Sequence, residues 1–307
     1  MKRKLVKQGI RALTMTLPSN WIQQNNLKAG DEVEVLDSDE ALTISIDKKQ
    51  HTHHITVNVS SLAPKLADRF ISRAYQKGYD KITVKFDSPE IMLALKQKVS
   101  ELMGYEILNI TKNSMDIQVI SSELELDFDT LLRRTFLILK EMGETCYDAW
   151  KRGDKGALKN IESQDIHVNK FLYFCQRYLN RSPHLMTFGS SMLYYQLEIL
   201  EKLGDELKRT GDLLSGMKVD RDILDIINNF NILFKMSYDF FYDPKREKAT
   251  DAYLLYKKIC ESIENKFATA KTKEACIALV SLNSSAQIAF HLMTMRLDTL
   301  SELNRNG

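Results

Sequence analysis

The chain has 307 residues, which is too long for one small core and suits two or three domains. Of these residues 44% are apolar and 27% are charged, with few Gly and Pro, so the composition excludes disordered and collagen-like classes. The formal net charge is only +2, so any binding of nucleic acid has to come from a local basic patch.

The cysteines and the apolar segments indicate the compartment. The four cysteines form no CxxC pair and stand in apolar helical patterns, which is typical of buried free thiols in a reducing compartment. No apolar run approaches the roughly 18 residues that a membrane span needs, and the N-terminus lacks the apolar core of a signal peptide. We therefore expect a cytoplasmic protein with no membrane span.

Residues 1–47 form the first predicted domain, a unit of four short strands that alternate with period two. The strand segments are KLVKQ, ALTMTL, EVEVL and ALTISI, and a helical turn at 19–26 follows Pro18. Residues 1–28 carry six basic and no acidic side chains, whereas residues 31–47 carry seven acidic and no basic side chains. A unit of this length buries too little apolar surface to stand alone, so we expect it to pair with a second copy.

The element order of this unit resembles the swapped-hairpin DNA-binding domain of the SpoVT/AbrB family. The matching features are a basic strand at 4–7, a turn at Gly9, a strand ending in Leu-Pro at Pro18, a short helix, the pattern LxxGDxVxV at 27–35, and a last strand. Paired cationic strands suit the phosphate backbone of DNA. The resemblance implies that two chains interleave their hairpins and that the basic face docks on DNA, with these contacts: Arg3, Lys4, Lys7 and Arg11.

Two other interpretations of this unit stay open. It would also serve as a plain dimerisation module, with its N-terminal lysines as a solvated tail. Some members of this fold class act as antitoxins, but a toxin-binding tail is normally short and disordered, and a long helical region follows here.

Residues 52–121 form the second predicted domain, with the element order β-α-β-α-β-β. Its strands are HITVNV, KITVKF, YEILNIT and MDIQVI, and its helices span 63–77 and 89–103, each ending before a glycine. This pattern predicts a small α/β layer, and its sequence does not decide between a role in dimer contacts and one in ligand binding.

Residues 124–303 form the third predicted domain, in which strand signals disappear. Six helical stretches follow, at 124–152, 155–181, 187–215, 219–242, 246–270 and 272–303. Apolar residues recur at spacings of three and four, which places one stripe of a helix in a bundle seam. The helix lengths predict two consecutive three-helix repeats, so the whole chain is predicted to be a multidomain α+β protein.

Acidic side chains line the third of these helices. Glu201 and Asp205 are four residues apart, so both carboxylates project from one face and repel unless a cation or a facing basic group compensates them. Asp165 and Asn169 repeat this spacing of oxygen atoms on the second helix. Oxygen ligands from two facing helices would hold a divalent or iron-type metal ion, whereas the plain alternative is a solvated acidic face.

The segment LEILEKLGDEL at 197–207 resembles the PhoU family, which is built from two three-helix repeats, each with an E/DxxxD metal motif. Residues 201–205 fit the motif directly, and residues 165–169 fit it with Asn in place of the last acid. The second repeat departs from it, because ALVSLNSSAQIA at 278–289 contains no acid and residues 261–265 again end in Asn. The resemblance implies a PhoU-like bundle with any metal confined to the first repeat.

The remaining candidates indicate no catalytic site. His51, His53 and His54 stand at the start of a strand, where a solvated strand is the simpler interpretation than a metal site. The other histidines have no partners at ligand spacing: His167, His184 and His291. The sequence shows no Gly-rich phosphate loop, no nucleophile elbow and no Ser/Cys–His arrangement, so we expect a protein that is not an enzyme.

The sequence therefore predicts a dimeric DNA-binding transcription regulator that resembles archaeal PhoU-like regulators. Its bundle would sense phosphate status or contact phosphate-transport or signalling proteins, and binding there would change the spacing of the DNA-binding halves. Two alternatives stay open. One is an adaptor that binds no DNA and regulates a phosphate transporter or kinase, and the other is a metal-binding helical sensor.

Overall fold

The computed structural model describes residues 1–38, 41–46, 53–120, 127–181, 190–297 and 300. Within them the chain is mostly helical, with small β elements towards its N-terminus, and it divides into two compact units, Met1–His51 and Thr52–Gly307. The predicted boundary between the second and third domains falls at 121–124, outside the described residues, and stays a prediction.

The first unit consists of two antiparallel hairpins and one short helix. Strand β1 (Val6–Gln8) pairs with β2 (Ala12–Thr14), helix α1 spans Ser19–Gln24, and β3 (Glu34–Ser38) pairs with β4 (Ala41–Ser45). Gly9 in the first turn has a φ of 75°, a left-handed conformation that glycine adopts without steric cost. All four predicted strands are present, and β1 and β2 are shorter than predicted because their pairing ends at Val6 and Thr14.

The second unit begins with an α/β layer in the predicted order of elements. The elements are β5 (His54–Asn58), α2 (Pro64–Gln76), β6 (Lys81–Lys85), α3 (Pro89–Ser100), β7 (Tyr105–Ile110) and β8 (Ser114–Val119). They form a four-stranded sheet of order β5-β6-β8-β7, in which β5 and β6 are parallel and β8 is antiparallel to both of its neighbours. The Ser88 hydroxyl caps α3 by accepting a hydrogen bond from the Ile91 N–H at 3.3 Å.

Six long helices follow the layer in the described part of the chain; the first five lie within about four residues of the predicted bounds, and the last ends at Thr294 rather than at 303. They are α4 (Phe128–Arg152), α5 (Lys155–Arg181), α6 (Ser190–Gly216), α7 (Arg221–Tyr242), α8 (Arg246–Phe267) and α9 (Lys273–Thr294). The first three and the last three pack as two groups, which meet where α4 contacts α7 and α6 contacts α9. Helix α4 ends at Gly153, whose φ of 72° closes the helix in the left-handed region.

One continuous apolar core fills the helical bundle. Trp150, Phe136, Phe230 and Phe234 are each 1% exposed, and the rings of Phe136 and Phe234 stack with centroids 6.0 Å apart. Burial of this kind is the main stabilising term of a helical bundle. The bundle therefore holds its fold with contacts from its own chain.

The cysteine prediction is half right. Cys146 and Cys175 are buried, and desolvation raises the pKa of each thiol to about 12. Cys260 and Cys276 are partly exposed, because they lie on helices α8 and α9 at positions that the core does not fully cover. The thiols of Cys146 and Cys175 therefore stay protonated and unreactive at neutral pH.

Helix α9 is, among the described residues, the one helix long and apolar enough to cross a membrane by length and composition. Its most apolar window has a mean hydropathy of 1.4, and 50% of that window is buried inside the structure. The core helix of a bundle passes the same test, so this is weak evidence for a membrane span.

The α/β layer is held to the bundle by basic side chains of α5. Arg177 donates hydrogen bonds to the Tyr75 carbonyl at 3.0 Å and the Tyr79 carbonyl at 2.6 Å, and it pairs with the Asp80 carboxylate at 2.8 Å. Arg181 also pairs with Asp80, at 2.7 Å. The guanidinium of Arg177 thus ties the last turn of α2 and the segment that follows it to helix α5.

Candidate functional site

The first candidate site is the basic hairpin formed by β1 and β2. Lys7 lies on β1 opposite Leu13, Arg11 lies in the turn, and Arg3 and Lys4 precede the first strand. All four basic side chains are exposed, and the ion pairs within the described part of the chain include none of them. A nucleic-acid phosphate would therefore reach these charges without displacing a carboxylate of the described residues.

The acidic half of the unit is organised separately around β3 and β4. The Lys28 backbone N–H donates to the Asp31 carboxylate at 2.7 Å, which closes the turn before β3. The Glu34 carboxylate accepts a hydrogen bond from the Ser45 hydroxyl across the β3–β4 pair at 3.5 Å. Three further acids of this half lie outside the described residues: Asp39, Glu40 and Asp47.

The described residues of the first unit form no core of their own. None of its residues with a described side chain is buried, and large apolar side chains lie open, among them Ile10 at 93%, Leu13 at 61% and Leu42 at 62%. Two-stranded hairpins without an apolar face to pack against are marginal in water. A single copy of the unit therefore lacks an apolar surface against which the hairpins could pack, and a second copy would supply one.

The second candidate site is a polar cavity of about 390 Å³ between the α/β layer and the bundle. Its walls come from α2 and α3 on one side and from α5 and α6 on the other. All four residues predicted as metal ligands line it: Asp165, Asn169, Glu201 and Asp205. The structure therefore gathers the two helical motifs of the first repeat at one place.

A lysine ammonium occupies the position between the acids of the two motifs. Lys208 Nζ lies 2.5 Å from Asp165 Oδ2 and 2.8 Å from Asp205 Oδ1. Burial lowers the pKa of Lys208, but these two carboxylates outweigh that effect and raise it, so the ammonium stays charged. Among the described residues no group of three or more His, Cys, Asp or Glu side chains is placed to hold a metal ion.

Glu201 has a different set of partners, one on α5 and one on α2. The Tyr173 hydroxyl donates to its carboxylate at 2.9 Å, and the Arg69 guanidinium lies 4.0 Å away. Desolvation by burial is the largest effect and raises the pKa of Glu201 above its ordinary value. Burial raises the pKa of Asp165 in the same way. Burial thus favours the uncharged form of both carboxyl groups, while their hydrogen-bond and ion-pair partners favour the charged form.

Asp165 is packed tightly against α6. Asp165 is 3% exposed, and its Oδ1 has no hydrogen-bond partner, as is also true of Asn169 Oδ1. A Cβ at position 204 would come within 2.9 Å of Asp165 Oδ1, so Gly204 is what lets the carboxylate approach the helix. Buried oxygens without a donor are uncommon in folded proteins and call for an explanation.

Basic residues of α2 compensate the acidic stripe of α6, and sequence reasoning missed them. Arg73 forms a bidentate pair with Glu198, with distances of 2.5 and 3.1 Å, and Arg69 faces Glu201. A signal for this was present, because Lys65, Arg69 and Arg73 recur every four residues along α2 and so share one face. A facing basic group thus compensates the acids, which is the second of the two possibilities that the acidic spacing left open.

The histidines that the structure describes are not brought together into a site. His54 Nε2 lies 3.2 Å from the Thr83 hydroxyl on the sheet, while the backbone N–H of His53 donates to Asp80. The ring of His291 packs against Tyr195, with centroids 6.0 Å apart. His51 and His184 lie outside the described residues.

The comparisons with known proteins concern the first unit. Residues 6–51 match a family model described as antidote-toxin recognition MazE, bacterial antitoxin. The match includes Lys7 and Arg11 and covers well under half of the chain; it fits a DNA-binding swapped-hairpin fold and the dimerisation that such a fold entails. No curated protein and no solved structure gives a significant match. No family match covers the helical region, so its PhoU resemblance stays a prediction.

Proposed function

We propose that the chain is a homodimeric, cytoplasmic DNA-binding transcription regulator that performs no catalysis. Two chains join through the first unit, and each contributes the hairpin that carries Lys7 and Arg11 to one DNA-facing surface. The observation that carries the proposal is the combination of an exposed basic hairpin with a unit in which no described side chain is buried, in the segment that matches the MazE model. Pairing would bury the apolar side chains and double the cationic surface.

The second unit then receives the signal. The PhoU resemblance makes phosphate status the first signal to test, and inorganic phosphate and divalent metal ions are the probes. The cavity beside Glu201 and Asp165 is the place where a bound molecule would touch both the layer and the bundle. A ligand that binds one arrangement of the dimer more tightly than another would shift DNA binding by its difference in affinity.

A second candidate function is protein recognition by the first unit, which the family description favours because it names an antitoxin. In that case the exposed apolar and basic surface would take a protein partner rather than DNA. The adaptor alternative has the same consequence for DNA. Both candidates are separated from the regulator by a direct test of binding to duplex DNA.

The test uses the full-length chain and a pool of random duplexes at several salt concentrations. We expect binding that weakens steeply with salt, and a variant with Lys7→Ala and Arg11→Ala that binds at least about tenfold more weakly. Its salt slope should fall by about one for each phosphate that the variant no longer neutralises. The matched control is Lys112→Ala with Lys202→Ala, which removes two exposed cations from the second unit.

No binding to any duplex at low salt would overturn the regulator proposal and favour the protein-recognition candidates. Equal weakening in the two double variants would mean that net charge, rather than the hairpin, drives binding. Mapping of bound DNA across the genome with and without phosphate then tests the signal. Enrichment near phosphate-uptake genes is the result expected from the phosphate hypothesis.

A further inference from the structure

Strand β5 forms one edge of the four-stranded sheet in the second unit. The strand order β5-β6-β8-β7 leaves it with β6 as its one neighbour in the described part of the chain. Just after β5, the Val59 N–H donates to the Lys85 carbonyl of β6 at 2.9 Å. Because the backbone groups of successive strand residues point to alternate sides, those of His54, Thr56 and Asn58 point to the open edge.

This edge lacks the features that keep strand edges from pairing. The β5 sequence HITVN contains no proline and no charged Lys, Arg, Asp or Glu, and its register with β6 is unbroken from His54 to Asn58. The opposite edge strand, β7, carries Glu106 and a register irregularity between Ile107 and Asn109. Bulges and charged side chains are among the features by which proteins prevent pairing at an edge. The sheet is therefore protected at β7 and open to pairing at β5.

Helix α2 presents an apolar pair on a side that no other described element covers. Leu66 and Phe70, one helical turn apart, are 58% and 46% exposed. The side of α2 that faces the bundle carries Arg69 and Arg73, which pair with acids of α6. The side that faces α3 carries Asp68, which lines the cavity together with residues of α3. Leu66 and Phe70 lie on the remaining side of the helix.

The position of α2 within the layer places this apolar pair beside β5. Helix α2 connects β5 to the parallel strand β6, while α3 contacts α2 on one side and packs against β7 at the far end of the sheet. The side of α2 away from α3 therefore lies over β5. The strand edge at 54–58 and the side chains of Leu66 and Phe70 thus form one continuous surface, here called the β5 surface.

A second copy of this chain is the occupant that fits the β5 surface. A two-fold axis perpendicular to the sheet would pair the two β5 strands antiparallel, centred on Thr56, and give one continuous sheet across the dimer. The same rotation keeps both α2 helices on one face of that sheet and brings Leu66 and Phe70 of the two copies together. A single symmetry operation therefore satisfies the open backbone groups and covers the apolar pair.

The first unit supplies the means to bring the two β5 surfaces together. Strand β4 ends at Ser45 and β5 begins at His54, so residues 46–53 join them. Chains that are already paired through the first unit would present their β5 strands to each other at an effective concentration on the order of millimolar, as short linkers do. The β5 surface thus follows directly in the chain on the segment whose family match entails dimerisation.

We propose that the second units of the homodimer also associate, by antiparallel pairing of their β5 strands and packing of Leu66 and Phe70 between the two α2 helices. The proposal rests on the homodimer of the proposed function, and it is independent of DNA binding. It assigns to the α/β layer the role in dimer contacts that its sequence left open.

Cysteine cross-linking of the full-length chain tests the register. In an antiparallel pair centred on Thr56 the two Cα atoms lie about 5.5 Å apart, which a disulfide spans, so Thr56→Cys should give disulfide-linked dimers under mild oxidation. The matched control is Glu106→Cys, which is equally exposed on the opposite edge strand and should stay unlinked. Both variants carry Cys260→Ser and Cys276→Ser, because those two thiols are partly exposed.

Sedimentation velocity of further full-length variants tests the helix contact. Phe70→Asp places a charge in the proposed contact and should raise the dimer dissociation constant at least about tenfold. The control is Leu93→Asp on α3, where the side chain is 62% exposed outside the β5 surface, and it should leave the constant unchanged. Far-UV circular dichroism checks folding. If Phe70→Asp does not fold, Thr56→Pro replaces it, because it removes an N–H that points to the open edge.

The outcomes separate this proposal from the homodimer on which it rests. A wild-type chain that stays monomeric would overturn both. A wild-type dimer that gives no Thr56→Cys cross-link, or whose affinity is unchanged by a folded Phe70→Asp, would overturn the pairing of β5 and leave the dimer through the first unit standing. Preferential cross-linking of Glu106→Cys would move the contact to β7.

Hydrogen exchange of the peptide that contains β5 tests whether another part of the same chain covers the edge. Exchange should be slow in the wild-type dimer and faster in a monomeric variant with Leu13→Asp and Val35→Asp. Equally slow exchange in that monomer would mean that a segment of the same chain pairs with β5, and it would overturn the proposal.

Discussion

The two units of the chain differ in where their apolar side chains lie. In the first unit no described side chain is buried, and Ile10 is 93% exposed, whereas in the second unit Trp150 and Phe136 are 1% exposed within a continuous core. Burial of apolar surface is the dominant favourable term in folding. The second unit therefore folds with its own contacts, whereas the described residues of the first unit leave their apolar side chains uncovered.

Helix capping differs between the units only in part, because α2 and α8 of the second unit also lack a side-chain cap. The N-cap position of α1 is Pro18, which offers no side-chain hydrogen bond. In the second unit Asp127, Asp220 and Thr272 each cap a helix through a side-chain oxygen. A capping side chain contributes about 1 kcal/mol, so local interactions do little to compensate the first unit for its missing core.

The largest expected effect is on assembly. Leu13→Asp with Val35→Asp places charges at two exposed apolar positions of the first unit, 61% and 56% exposed. If a second copy covers them, each loses about 1.5–3 kcal/mol of apolar burial, and the dimer dissociation constant should rise more than about a hundredfold. Sedimentation velocity across a concentration series measures this change.

Leu254→Asp is the control for assembly, because Leu254 is an equally open apolar side chain, 59% exposed, on α8. It should leave the dimer intact. If instead Leu254→Asp gives monomers and the double variant does not, the chains associate through the bundle. The inference that the exposed apolar side chains of the first unit are covered by a second copy would then be wrong.

The second prediction concerns the stability of the bundle. Phe136→Ala removes a ring that packs against Phe234 and Phe241, with centroids 6.0 and 5.1 Å apart, and leaves a cavity. We expect the free energy of unfolding to fall by about 3–5 kcal/mol in urea titrations followed by circular dichroism. Ile10→Ala should change the unfolding of the helical bundle by less than about 0.5 kcal/mol.

An effect of Ile10→Ala on bundle unfolding as large as that of Phe136→Ala would contradict this assignment. It would mean that the first unit contributes to the cooperative core. Both substitutions remove apolar atoms, from a side chain that is 1% exposed at Phe136 and from one that is 93% exposed at Ile10.

The third prediction concerns the attachment of the α/β layer to the bundle. Arg177 is 8% exposed, and its removal leaves two carbonyls and the Asp80 carboxylate short of a donor. Loss of one partner from a buried pair costs about 3–5 kcal/mol, so Arg177→Ala should destabilise the second unit by about 3 kcal/mol. Hydrogen exchange should show the weakening at the end of α2 and at the start of β6.

Arg181→Ala is the graded control, because the Arg181 side chain is 30% exposed and Asp80 keeps its bond to Arg177. Its cost should be clearly smaller. Equal costs for the two variants would show that burial does not set the strength of this attachment, and the layer would then count as a loosely held element.

Element order was predictable from the sequence because it is a local property. Period-two segments indicated the strands of both units, and breaks at positions such as Gly153 and Gly216 indicated the helix ends. The basic hairpin was predictable for the same reason, since Lys7, Gly9 and Arg11 lie close together in the chain.

The composition of the cavity was only half predictable. Spacing along α5 and α6 identified Asp165 and Glu201, but the partners that neutralise them come from elements far away in sequence, such as Arg69 on α2. Pairing between distant helices depends on how the layer sits on the bundle, which no single-helix pattern contains. The sequence shows that Lys208 shares the acidic face of α6, but it does not show that the ammonium lies between Asp165 and Asp205. The metal-ligand hypothesis was therefore made without this information.

The smallest predicted effect is the pH dependence of one helix cap. Asp220 accepts hydrogen bonds from the Asp222 and Ile223 backbone N–H groups and pairs with Lys266 at 2.7 Å. Burial tends to raise the pKa of Asp220, but Lys266 and the backbone donors outweigh it and hold the pKa below the ordinary value of 3.8. The folded state thus binds this proton less readily than the unfolded state does.

The sign of the effect follows from that difference. The stabilisation from Asp220 is complete above about pH 3.8, and it is lost as the pH falls through the lower pKa of the folded state. Asp220→Ala should therefore cost about 1 kcal/mol at neutral pH, and the gap between variant and wild type should narrow in strong acid. The exposed Asp225→Ala on the same helix is the control and should show no such convergence. A gap that stays constant down to the acid transition would mean that the uncharged carboxyl caps α7 as well as the carboxylate does, so that capping rather than charge distinguishes this helix from α1.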